Sequence, residues 1–177
     1  MFQQNVLFGS CTVLESVRIG AHLQAIGFGR RALLRALSWS QPRIVSSAVW
    51  EVLDFVGLAD DADTLATTLP HGKKRLLGLA VTLASNPRLL LMDEPLTGMN
   101  TEETTTMLAL ISALRNERGV TFVLVEHNME AVMSLCDRIC VLHFGRRLAY
   151  GTPAQVAEDP AVIDAYLGEG TDGSFDL

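Results

Sequence analysis

Two apolar stretches of this chain end in side chains that can do chemistry. Leu89-Leu90-Leu91-Met92 runs into Asp93-Glu94-Pro95, and Val123-Leu124-Val125 runs into Glu126-His127. In an open parallel sheet, ligands bind outside the carboxyl ends of the strands. If the two strands are neighbours, Asp93, Glu94 and His127 share one edge. A carboxylate there can hold Mg²⁺ through water, because Mg²⁺ keeps much of its hydration shell. A second carboxylate can accept a proton from an attacking water. A histidine can donate to a phosphate oxygen. A third place is Gly72, which leads into an expected helix and is followed by Lys73, Lys74 and Arg75. Helix N-termini attract phosphate through free N–H groups and the helix dipole. The usual phosphate cradle reads Gly, four residues, Gly-Lys and Ser or Thr. The 177 residues contain no such string. Gly72-Lys73 mimics its end, but position 67 is Thr and position 74 is Lys. Gly27-Phe28-Gly29 is too short for a dinucleotide loop.

The elements that must position these groups follow from periodicity. Thr12-Val13-Leu14-Glu15 has capping-box spacing and opens a helix to about Leu23. Residues 24–41 are ambiguous, with Gly27 and Gly29 breaking the period. Pro42 begins a helix that ends near Gly57. Leu76, Leu79, Ala80 and Leu83 mark an amphipathic helix after Gly72. Leu89–Met92 is apolar on both faces, as in a buried parallel strand. Asn100 and Glu103 open a helix carrying Met107, Leu110, Ile111 and Leu114, which stops at Gly119. Thr121–Val125 reads as a second buried strand. Met129, Val132, Met133 and Cys136 mark a short helix. Ile139–His143 and Arg147–Tyr150 read as a hairpin turning at Gly145, and helices near 153–158 and 160–167 follow. Strand, helix, strand, helix, strand predicts an α/β fold with a mostly parallel sheet and crossover helices. Residues 1–68 would form a helical subdomain, residues 69–168 the core, and residues 169–177 a flexible tail.

Composition narrows the class. Apolar residues make up 49%, enough for one core. No stretch approaches the ~20 uninterrupted apolar residues of a spanning helix, and the first residues do not read as a signal peptide. A net charge of −6 argues against general nucleic-acid binding. Between Glu15 and Glu51 the chain has Arg18, Arg30, Arg31, Arg35 and Arg43 but no acid. A solvated surface is the plain reading, and contact with a partner or anionic headgroups the sharper one. Cys11, Cys136 and Cys140 lack framework spacing and suit a reducing compartment. Cys136, Cys140 and His143 lie near enough for a metal site, but both cysteines read as core. Trp39 and Trp50 read as core rather than partner anchors, as do Met129 and Met133 rather than ligands. His22 and His143 fall in no pattern.

The apolar strand ending in Asp-Glu is a Walker B motif with its catalytic glutamate, and in this context the chain resembles ABC-transporter nucleotide-binding subunits along nearly all its length. Phe2-Gln3-Gln4-Asn5 with Thr12–Glu15 resembles the Q-loop and the start of the helical subdomain. Leu69-Pro70-His71-Gly72-Lys73 stands in the place of the signature motif. Gly98-Met99-Asn100 matches the D-loop, and His127 the switch histidine. Within the family the resemblance is to the ATP-binding subunits of branched-chain amino acid importers. It rests on Asp93–Asn100 with Glu103-Thr104, Val125–Met129 with Cys136-Asp137-Arg138, and Asp159–Ile163 with Ala165–Gly168.

The resemblance implies a P-loop-NTPase-like ABC ATPase domain that binds ATP with Mg²⁺. Gln3 would touch Mg²⁺ or the attacking water. Asp93 would hold Mg²⁺, Glu94 would polarise water, and His127 would contact the γ-phosphate. Leu69, Pro70, His71, Gly72, Lys73 and Asn100 would meet nucleotide, the signature loop capping ATP held by a second subunit in a homo- or heterodimer. The partners would be that subunit and transmembrane permease subunits, and no nucleic acid. The place of action would be cytoplasmic, peripheral on the inner face of the plasma membrane. Three departures stand out: Pro70 for the signature serine, His71 and Lys73 for a glycine and the glutamine, and no phosphate loop. The last leads to the expectation of an N-terminally truncated chain, inactive alone. Two alternatives remain open: a non-catalytic module lending its signature loop to a complete subunit, and the ATPase of a lipid or polysaccharide exporter. A soluble ATPase of DNA repair or translation ranks below them, since the chain shows neither a second cassette nor long heptads.

Overall fold

The structure is a computed structural model and describes residues 10–26 and 42–168, with side chains placed from residue 10 to 21 and 47 to 165. Contacts divide the chain into two units, Met1–Val125 and Glu126–Leu177. Gln3, Arg30, Arg31, Arg35, Trp39 and the tail beyond Gly168 lie outside the described residues. The side chains of His22 and Arg43 lie outside them too.

In the first unit, α1 (Val13–Ile26), α2 (Pro42–Val56) and α3 (His71–Leu83) pack on one another. The predicted capping box opens α1: Glu15 N–H donates to Thr12 Oγ1 at 3.2 Å, and Thr12 N–H to Glu15 Oε2 at 2.8 Å. Val13 and Val17 of α1, Val49 and Leu53 of α2, and Leu77 and Leu79 of α3 are buried between them. Each such side chain contributes about 1.5–3 kcal/mol of burial. At Gly20 the helices α1 and α3 come so close that a Cβ would overlap the Val81 carbonyl. Arg118 lies 4.2 Å over the Phe55 ring, tying α2 to the turn that follows the helix Thr101–Asn116. Trp50, predicted as core, is 40% exposed: it falls on the outer side of α2, between Val49 and Leu53 of the buried face.

The same unit carries β1 (Leu89–Asp93), α4 (Thr101–Asn116) and β2 (Thr121–Val125). The strands pair in parallel, Leu89 with Thr121 through Asp93 with Val125. Met107, Ile111 and Leu114 are the buried positions of α4, at helical spacing. Gly119 at φ +62° turns the chain toward β2 in a conformation that other residues rarely adopt. Burial of the strands corrects the sequence reading. Leu90 and Met92 are buried, but Leu89, Leu91, Val123 and Val125 are 52–58% exposed. Successive side chains point to opposite faces, so these four form one apolar face that the described residues leave open.

The second unit starts with α5 (Met129–Leu135), capped by Asn128 Oδ1 on the Ala131 N–H at 3.0 Å. Strands β3 (Ile139–His143) and β4 (Arg146–Gly151) form an antiparallel hairpin. Phe144 and Gly145, both with positive φ, make its two-residue turn, the geometry that matches strand twist. Helices α6 (Pro153–Ala157) and α7 (Pro160–Gly168) follow. Ile139, Val141, Ala149, Val156 and Val162 form this unit's core, with Met133 and Cys136 packed against it. Cys140, predicted as core, is exposed. It alternates with Ile139 and Val141 and so lies on the outer face. The predicted parallel pair with its crossover helix is present, while the third strand pairs with β4 in a sheet of its own.

Candidate functional site

The carboxyl ends of β1 and β2 lie side by side, with Asp93 level with Val125. Asp93 is exposed and is not hydrogen-bonded among the described residues. Glu94 leaves the strand at φ +44°. A left-handed glutamate is strained by roughly 1 kcal/mol or more and persists only where surroundings fix it. They do so here. Its N–H donates to the Val125 carbonyl at 2.8 Å, its carbonyl accepts from Thr97 N–H at 3.3 Å, and Pro95 behind it is fully buried. Thr97 Oγ1 donates to Glu94 Oε2 at 3.2 Å. The carboxylate is therefore carried on a fixed turn rather than a free loop.

The start of α3 lies against this turn. Pro70 precedes the helix with extended φ and ψ and offers no side-chain cap. The Lys74 N–H to Pro70 carbonyl bond, 3.0 Å, is the first of the helix. The amides of His71, Gly72 and Lys73 therefore lack helical acceptors, the arrangement that favours an anion. Leu69 is buried and anchors the approach to the helix. His71 is exposed, and its imidazole stands where a Cβ on Gly98 (φ +78°) would be 3.0 Å from Cε1. A Cβ on Gly72 would run into the Glu103 carboxylate. That carboxylate is held in turn. Asn100 N–H donates to Glu103 Oε2 at 3.0 Å, and Glu103 N–H donates to Asn100 Oδ1 at 3.0 Å. Asn100 thus serves as the N-cap of α4.

The three basic residues after Gly72 are not equivalent. Lys73 Nζ is bound to Asp61 Oδ2 at 2.6 Å. Arg75 is only 7% exposed and donates from Nη2 to the Thr97 carbonyl at 3.2 Å, while its Nε is buried without a hydrogen-bond partner. All three stay cationic, but Lys73 is engaged by Asp61 and Arg75 by the Thr97 carbonyl. Asp61 and Thr97 were not singled out from the sequence, and Arg75 was read only as one of three charges. Nothing in it pairs positions 61 and 73, whereas Thr97 lay within the quoted Asp93–Asn100 run.

His127 belongs to the second unit. It is exposed, its N–H donates to Glu126 Oε2 at 3.1 Å, and Nδ1 lies 3.8 Å from that oxygen. Gln3 lies outside the described residues. Among the described residues no three His, Cys, Asp or Glu side chains form a metal cluster, Cys136, Cys140 and His143 included. Mg²⁺ needs no such cluster, since one carboxylate plus substrate phosphates and waters holds it. The exposed oxygen ligand at Asp93 fits that requirement. Among the described residues no helix is long and apolar enough to cross a membrane.

The site is thus an apolar parallel pair with Asp93 and Glu94 at the end of β1 and the start of α3 against the turn that follows. The sequence profile of the family described as ABC transporter matches residues 1–97, and that described as branched-chain amino acid ATP-binding cassette transporter matches residues 146–172. The chain belongs to the ABC transporter family. It is 37% identical, over 95% of its length, to the high-affinity branched-chain amino acid transport ATP-binding protein LivG of Escherichia coli. Identity and coverage are the same for BraF of Pseudomonas aeruginosa, a protein of the same description. The chain spans 66% of the length of each of these relatives. A crystal structure of the ADP conformation of an ATP-binding cassette of an ABC transporter superposes with a TM-score of 0.72 at 25% identity. That match covers 90% of this chain and 64% of the other.

Proposed function

We propose that this chain works as part of an ATP-binding, ATP-hydrolysing subunit of an ABC importer for branched-chain amino acids. The observation that carries the reading is the pair Asp93-Glu94 at the carboxyl end of β1, fixed beside β2, in a chain of this family. The 37% identity to the branched-chain amino acid transport proteins supports the substrate class.

In this reading Asp93 holds Mg²⁺, which offsets phosphate charge when bound. Glu94 accepts the proton of the attacking water, and general bases of this kind contribute roughly 10²–10⁴-fold. The γ-phosphate contact falls to His127, and the Mg²⁺ or water contact to Gln3. Leu69 to Lys73 present the open amides of α3 to ATP on a second ATP-binding subunit, with Asn100 beside them. Transmembrane permease subunits complete the assembly at the inner face of the plasma membrane. Residues 1–68 serve as the helical arm and 69–168 as the catalytic core. The test is Glu94→Gln in the assembled transporter. Hydrolysis stalls while nucleotide binding is retained; normal turnover refutes the role of Glu94.

The loop-lending module is the second reading, and the open amides of His71, Gly72 and Lys73 at the start of α3 support it. Titration of Mg-ATP into the chain separates the two. Micromolar binding refutes the module. No binding, together with a changed ATPase rate in a complete relative on mixing, supports it.

A further inference from the structure

Three hydrogen-bonding groups in the first unit form a line from a helix to the candidate general base. Arg75 sits on α3, four residues after His71, so the two share a helix face. That face meets the turn after β1 twice: the His71 ring lies against Gly98, and Arg75 Nη2 donates to the Thr97 carbonyl at 3.2 Å. Thr97 Oγ1 then donates to Glu94 Oε2 at 3.2 Å. Arg75 is more than nine-tenths buried and its Nε has no hydrogen-bond partner, an arrangement that is unfavourable for a cation unless its position is required. Its guanidinium meets a backbone carbonyl rather than a carboxylate, so its effect is to fix the backbone of residue 97.

We propose that Arg75 and Thr97 are positioning residues for Glu94, with α3 as the rigid support that holds the Thr97 hydroxyl on the carboxylate. The purpose assigned to the link rests on the hydrolytic reading of Glu94. A carboxylate on a strained left-handed residue has neighbouring conformations close in energy, and a hydroxyl donor selects one of them. A base misplaced by about 1 Å loses on the order of 10²-fold in rate, so loss of one of its supports lowers kcat by about tenfold or more. Substrate affinity is unaffected, because neither residue is placed on the nucleotide.

Two readouts test this. The first uses the 177-residue chain labelled with ¹³C at glutamate carboxyls, the Glu94 resonance being identified by its loss in Glu94→Gln. Thr97→Val removes the hydroxyl at constant shape on an exposed residue and moves that resonance, while Thr97→Ser returns it. Arg75→Met moves it as well, with Arg75→Lys giving partial return. An unmoved resonance in Thr97→Val overturns the link. The second readout is ATP turnover by the assembled transporter. Thr97→Val lowers kcat about tenfold at unchanged KM, and serine restores most of it. Wild-type kcat in Thr97→Val, with the wild-type transporter active, overturns the positioning role alone. A wild-type transporter that does not hydrolyse ATP instead overturns the functional reading, and with it the catalytic purpose of the link.

Discussion

Replacing Gly72 with alanine tests why a glycine stands at the start of α3. A Cβ there would occupy the space of the Glu103 carboxylate, and even Glu103 Cγ would lie only 2.8 Å away. Glu103 must then swing out and give up its 3.0 Å bond to the Asn100 N–H. Half of a capping box is worth about 1 kcal/mol. Alanine in a helix is favoured over glycine by about 0.7 kcal/mol. Gly72→Ala alone is therefore expected to destabilise by ~0.3 kcal/mol, and Glu103→Ala alone by about 1 kcal/mol. Once Glu103 is shortened there is nothing left to displace, and Gly72→Ala becomes stabilising by about 0.7 kcal/mol. The double variant then sits about 1 kcal/mol above the additive expectation. Urea unfolding of the four proteins at equal ionic strength measures this cycle. Additivity within ~0.3 kcal/mol would show that the glycine serves only an approaching ligand and that the packing argument is wrong.

Other consequences follow from the same geometry. Gly98→Ala forces a left-handed alanine and presses its Cβ on the His71 ring, so a loss of about 1–2 kcal/mol is expected. His71→Ala in the same chain recovers only the contact part, and full recovery would refute the backbone argument. Asp61→Asn frees Lys73, whose side chain is 45% exposed. The expected loss is small, below about 1 kcal/mol after screening, and vanishes in 1 M salt; a salt-independent loss of several kcal/mol would refute a surface pair. Leu91→Lys with Val123→Lys charges the open face of β1 and β2. These positions are more than half exposed, so the fold is retained while self-association of the isolated chain falls, as read by light scattering. Unchanged scattering would show that this face is not the adhesive surface.

The sequence alone determined most of the local structure and named the candidate reactive groups. Thr12 with Glu15 and Asn100 with Glu103 marked two helix starts, because capping is a contact between residues three apart. Gly119 and Gly145 marked turns, because only such residues adopt positive φ at little cost. Asp93 and Glu94 were legible because they follow an apolar strand directly, and the parallel pairing followed from the intervening helix. What it left undetermined depends on atoms distant in the chain. Leu89–Met92 is apolar throughout, so its pattern holds no information on which face is covered. Trp50 and Cys140 are apolar enough for a core, yet alternation and helical phase turned both outward. Lys73, Lys74 and Arg75 read as three equal charges. Tertiary structure divided them, pairing one with Asp61 and burying another against the Thr97 carbonyl. Spacing along the chain encodes contacts within a turn or two, whereas partners 12 and 22 residues away are chosen only when helices pack and bring them within hydrogen-bond reach.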